Sequence, residues 1–167
     1  MSAVPSNDRR GVATSGRAER VTPETLESAS ARLIGASGGP LGRSAAQRFI
    51  DSARSQHIDL SRFWFVRHHR SKRIVASALL APSSGGTGML FTSSPRSAEE
   101  SRALGDAVEA ACSHPEGVRL AQSLLEPDQP TIRRVVEDRG FRHVGDLRYM
   151  RRDWEPVPPA SEDRPLP

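Results

Sequence analysis

The residues of this 167-residue sequence that have the chemistry for a site are few, and their spacing assigns most of them to structure. Cys112 is the only cysteine. It falls on one apolar stripe with Leu104, Val108 and Ala111, so it reads as core rather than nucleophile. It excludes an internal disulfide and fits a reducing compartment. His68 and His69 are adjacent in an alternating run, point to opposite faces and cannot share a metal. No Cys/His spacing suggests zinc, and no metal is expected. Tyr149, the sole tyrosine, reads most simply as a half-buried packing residue with its hydroxyl at the rim. Gln122 shares a strand face with Val118, Leu120 and Leu124, so its amide needs a partner, either backbone or a ligand amide. There is no Walker-type loop and no Gly-x-Ser-x-Gly elbow.

The elements that must position these residues follow from caps and periodicity. Thr22 as N-cap with Pro23 in the first turn predicts a helix over "TPETLESASARLIGA", ended by "GGPLG". Ser44-x-x-Gln47 is a capping box that restarts helix, with Ala46, Phe49, Ile50 and Ala53 on one stripe. "RFWFVRHH" and "RIVASALLAP", joined by "RSK", predict a hairpin. In the first of these, Phe63 and Phe65 take one face and Trp64 and Val66 the other, which suits a strand buried on both sides. "SSGG" is a loop and "TGMLFTS" a third strand. Ser97-x-x-Glu100 opens a helix to residue 113, and "VRLAQSLL" is a strand. "DQPTIRRVVEDR" is a helix with Ile132, Val135 and Val136 inward, Asp128 as an N-cap and Gly140 as its stop. "FRHVGDLRYMRR" is the last strand. Helices alternating with strands in this way predict an α/β protein with a central mixed sheet flanked by helices in three layers.

Residues 1–21 are polar and aperiodic and read as a disordered tail; 155–167 are proline-rich and read as a second tail, leaving one domain over 22–154. The chain carries a formal net charge of +4, with Lys72 its only lysine. The arginines are scattered, which argues for a solvated surface over a nucleic-acid face. No run approaches a membrane span, and the N-terminal stretch lacks the apolar core of a signal peptide. A cytoplasmic protein, monomer or homodimer, is the expectation.

The order from about residue 60 to 152, with "QPTIRRVVEDRGF" leading Gly140-Phe141 into the last strand, resembles the GNAT superfamily of acyl-CoA-dependent N-acyltransferases. The resemblance implies acetyl-CoA as cosubstrate and an amine as acceptor. It implies that the backbone of Met89, Leu90 and Phe91 holds the pantetheine arm and steadies the thioester oxyanion, although an ordinary core strand would have the same residues. It places the pyrophosphate on Arg96, Ser97 and Arg102 at a helix start. There the sequence departs from the family's pattern: Glu99 and Ser101 stand where small residues, the first a glycine, are usual. Glu99 and Glu100 suit a free helix terminus but repel phosphate, so plain capping competes with cofactor binding. Glu126, and less so Asp128, are the carboxylates available as general base, with an exposed loop glutamate as the plainer alternative. Where the family often has a tyrosine as acid this chain has Val136, which leaves Tyr149 as the candidate. Gln122 is the candidate substrate contact.

Two other functions remain open on these residues. Glu99 and Val136 suit a GNAT-like binding or regulatory module that has lost the chemistry. The basic and aromatic run "FWFVRHHR" suits a nucleic-acid binder.

Overall fold

The computed structural model describes residues 15–36, 39–113 and 117–147. Five strands form one sheet in the order β1-β2-β3-β4-β5. They are β1 (Ser15–Arg20), β2 (Phe63–His68), β3 (Ile74–Ser83), β4 (Thr87–Thr92) and β5 (Leu120–Gln122). Neighbours among the first four are antiparallel, and β5 joins β4 in parallel after a helical crossover. The helices are α1 (Pro23–Leu33), α2 (Pro40–Ser55), α3 (Ala98–Cys112) and α4 (Pro130–Glu137).

Alternation in β2 divides the core in two. Phe63 and Phe65 turn toward α1 and pack with Ala29, Leu33, Ile74 and Leu79. Val66 turns to the other face, among Leu80, Leu90, Leu104, Val108 and the α4 residues Ile132, Val135 and Val136, with Trp64 against them. Helices thus cover both faces, which is the three-layer α/β arrangement. A glycine is required where β4 meets β5: a Cβ on Gly88 would lie 2.9 Å from Leu80 Cδ1 and 3.1 Å from Val118 Cγ1.

Several expectations are corrected. The supposed tail of residues 1–21 contains β1, whose residues Ala18, Glu19 and Arg20 pair with Val66, Phe65 and Trp64. An edge strand needs only one inward apolar residue, here Ala18, so its polar texture hid it. Helix α2 begins at Pro40, not at Ser44. Pro40 is favourable at a first helical position, where its missing N–H is no loss, and Gln47 bonds forward to Asp51 (2.8 Å) instead of capping. The strand "VRLAQSLL" shrinks to Leu120–Gln122. Helix α4 is preceded by Gln129 rather than by Asp128 as its cap. At its end Gly140 has φ 90°, and the Phe141 and Gly140 N–H groups return to Val136 O (3.1 Å) and Glu137 O (3.0 Å), a Schellman closure. Residues 141–147 make no ladder, and Val144 and Leu147 are exposed. Strand assignment needs a partner edge, and these residues have none among those described. The rest of the expected last strand, with Tyr149, lies outside the described residues, as does the C-terminal tail.

Candidate functional site

The site arises where β4 and β5 part. They are paired through Met89↔Gln122; beyond that the strands diverge and leave a cleft of about 390 Å³. Leu90, Phe91 and Thr92 form one wall, Ser123 to Glu126 the other, and Leu33, Ile34 and Phe49 of the α1–α2 layer close the side.

The hydrogen-bond register decides which backbone groups face this cleft. Successive strand residues direct their N–H and C=O to opposite edges. Ser93 N–H donates to Ser77 O on the β3 side at 3.0 Å, whereas Leu90 O accepts from Ser123 Oγ on the cleft side at 3.2 Å. By parity the backbones of Leu90 and Thr92 point into the cleft. Those of Met89 and Phe91 point to β3, and only their side chains line it. Of the three expected positions, only Leu90 turns its backbone to the cleft, and Thr92 does so as well. Ser123 was legible as a hydroxyl amid the apolar "LAQSLL", but its role depends on the strand ending at Gln122.

Glu126 lies at the mouth and, among the described residues, is the only ionisable side chain lining the cleft. A turn holds it: Gln129 N–H donates to Glu126 O at 3.1 Å, and Glu126 N–H donates to Gln129 Oε1 at 3.3 Å. Asp128 is exposed within this turn and outside the lining. Gln122 is also exposed, because Leu120 and Leu124 on its face are themselves 55% and 56% exposed. Water can satisfy its amide, which therefore needs no buried partner. Val136 is buried in the core at 4% exposure.

The start of α3 is occupied by its own side chains. Ser97 Oγ accepts the Glu100 N–H (3.1 Å), and Glu100 Oε2 accepts the Arg96 N–H (2.7 Å). Arg32, reaching from α1, holds the same carboxylate at 2.9 Å. Its other bonds go to Val75 O (2.8 Å) and Ser94 O (3.0 Å). Val75 is the extra residue of a bulge opposite Val66 and Arg67, which frees its carbonyl for Arg32. Burial pulls the Arg32 pKa below the ordinary guanidinium value, Glu100 opposes this, and Arg96 and Arg73 lower it further. Ser97 is therefore committed to capping, Arg102 is exposed on α3, and Arg96 lines a different cavity beside Arg32. The expected pyrophosphate seat does not fit a phosphate: the N–H groups of Arg96 and Glu100 are taken, and two carboxylates stand in the first turn.

The remaining candidates are structural. His68 Nδ1 accepts the N–H groups of Arg70 and Ser71, each at 3.2 Å, tying its own hairpin. The Nε2 proton then faces Glu99 Oε1 at 3.5 Å. Phe63 and Phe65 are buried and offer no ring to a nucleobase. Burial pushes the Cys112 thiol above its ordinary pKa, which lowers its thiolate fraction. Maleimide labelling at neutral pH should accordingly be several-fold slower in the folded protein than in urea; equal rates would show the thiol to be open. Among the described residues no cluster of three metal-ligating side chains occurs. No helix there is long and apolar enough to cross a membrane.

No family model and no curated protein matches the sequence. Solved structures do match. A probable acetyltransferase aligns with a TM-score of 0.58 over 84% of this chain and 99% of its own, at 13% identity. The aminoglycoside antibiotic 6'-N-acetyltransferase of Acinetobacter haemolyticus aligns with a TM-score of 0.52 over 84% of this chain and 100% of its own, at 9% identity. Identities this low speak to architecture alone, and with the mixed sheet, the flanking helices and the parted β4 and β5 they lead to one statement: this chain has the GNAT fold.

Proposed function

We propose that the chain is an acyl-CoA-dependent N-acyltransferase that moves an acyl group, acetyl by the family resemblance, from the thioester to an amine. The observation that carries this is the cleft at the divergence of β4 and β5, where the Leu90 and Thr92 backbones face the opening beside Glu126, the one carboxylate that lines it among the described residues. Both structures named above, a probable acetyltransferase and an aminoglycoside 6'-N-acetyltransferase, share this architecture.

In this reading the extended pantetheine arm bonds to the free β4 edge, displacing the Ser123 hydroxyl from Leu90 O. The Leu90 or Thr92 N–H donates to the thioester oxygen as negative charge develops there. A neutral amine attacks the carbonyl carbon; the C–N bond forms as the C–S bond breaks. Glu126, directly or through water, accepts the amine proton. The thiolate takes a proton from water, since Val136 has none to give; Tyr149 stays a candidate for that step. No protein acid is required, because a thiolate is a tolerable leaving group.

Titration calorimetry with acetyl-CoA tests the reading. Micromolar binding is expected, and Ser123→Trp, which fills the cleft from its half-buried wall, should weaken it at least about tenfold, or about 1.4 kcal/mol. In a screen of amines, Glu126→Gln should lower turnover by about 10²-fold, the lower range for general-base loss. A folded protein that ignores millimolar acetyl-CoA would instead support a binding module without transfer chemistry, the reading that the self-capped start of α3 favours.

A further inference from the structure

A second cavity, of about 660 Å³, lies on the other side of the last turn of α1 from the cleft. Six cationic side chains line it, Arg32, Arg43, Arg67, Lys72, Arg73 and Arg96, against two carboxylates, Glu27 and Glu100. The lining therefore concentrates as much positive charge as the whole chain carries net.

The cations differ in what they already do. Arg32 is fixed by two carbonyls and Glu100. Arg67 stacks over Phe65, with 4.8 Å to the ring centroid, donates to Lys72 O at 3.0 Å and lies 3.6 Å from Glu19. Arg73 approaches Glu100 only at 3.9 Å and is 76% exposed. The side chains of Arg43, Lys72 and Arg96 have no partner among the described residues. Glu100 is tied to other groups: its Oε2 accepts from both Arg32 and the Arg96 N–H, and its Oε1 lies 3.9 Å from Arg73. Structural arginines are normally neutralised by neighbouring carboxylates, but here cations from α1, α2, the β2–β3 hairpin and the start of α3 converge on open space. The first turn of α2 adds to the field. It has no acidic residue and no side-chain cap, so its dipole is unopposed where Gly39 and Gly42 line the cavity.

We propose that this cavity is a binding site for a phosphate-bearing anion, held by Arg43, Lys72 and Arg96 over a floor fixed by Arg32. The phosphate has two sources of the same chemistry: the diphosphate of CoA, diverted here because the start of α3 is filled by carboxylates, or a separate phosphorylated small molecule.

The probe is inorganic pyrophosphate, titrated calorimetrically into the full chain at low ionic strength. One-to-one binding is expected with a dissociation constant on the order of 0.1 mM, weakening as salt is raised. Arg43→Glu with Lys72→Glu should weaken it at least about tenfold, since both reversals face the anion directly. Both residues are exposed, and circular dichroism checks that the double variant keeps its fold. No binding at 10 mM pyrophosphate, or binding that the double variant leaves unchanged, overturns the site. If saturating CoA displaces pyrophosphate competitively, CoA is the source. If both bind together, a separate phosphorylated ligand is. Because pyrophosphate binding is measured without any thioester, its failure and a failure of the acyltransferase reading are scored independently.

Discussion

Arg32→Met should destabilise the protein by about 3 kcal/mol, the low end of the cost of removing one partner from a buried ion pair, because both side chains here are half-buried. Arg32 and Glu100 are each 13% exposed as side chains, toward the basic cavity, so water replaces the lost contacts only in part. Without the guanidinium, Val75 O and Ser94 O lose their donors. Glu100 keeps only the Arg96 N–H and a distant Arg73. Three layers lose their common tie at once: α1, the bulged start of β3, and the turn into α3. Glu100→Gln should cost less, about 1–2 kcal/mol, because an amide oxygen can still accept the Arg96 N–H. The double variant should fall short of the sum of the two, since no charge is then left stranded. Urea unfolding with an unchanged slope is the measurement, and a loss below about 1 kcal/mol for Arg32→Met would show that the pair is already well hydrated.

Phe65→Ala should cost about 3–5 kcal/mol, the range for deleting a buried aromatic. The ring is 1% exposed and lies mid-strand, with Glu19 and Ser77 as neighbours on either side. Beneath α1 it packs among Phe63, Leu79, Ala29 and Leu33, none of which can swing in to fill the void without breaking its own contacts. The Arg67 guanidinium over the ring adds about 0.5–1 kcal/mol to the loss. Against a total stability of about 5–15 kcal/mol, the variant should be visibly less resistant to urea and heat. Phe91→Ala is the contrast, because that ring is 46% exposed at the cleft; it should cost less than about 1.5 kcal/mol. If the two variants were equally stable, the division of the core by β2 alternation would be wrong.

The features legible in the sequence were those set by near neighbours. The Ser97 cap on Glu100, the Gly140 stop and the opposite faces of Phe65 and Val66 each depend on residues within a few positions. What failed depends on distance along the chain. Strand β1 is defined by β2, more than forty residues away, and "SGRAER" carries almost no apolar signal of its own. Glu100 was read as a reciprocal cap, but its main partner, Arg32, is 68 positions earlier. That Leu90, and not Met89 or Phe91, turns its backbone to the cleft needs the sheet register, which side-chain type does not encode. The basic cavity was hidden for the same reason: its arginines look scattered until four elements bring them together.

The short β5 has a consequence for the protein as a colloid. Exposed sheet edges invite foreign strands, and long flat ones seed aggregates. A cleft that receives an extended arm by its backbone must keep such an edge bare. Here the bare stretch of β4 offers only Leu90 and Thr92 as outward residues before the chain turns away, and the Ser123 hydroxyl already occupies Leu90 O. Two residues suffice to orient a small ligand but give an incoming strand too few rungs to hold. The parting of β4 and β5 thus lets the sheet present an adhesive edge while remaining a poor template for its own kind.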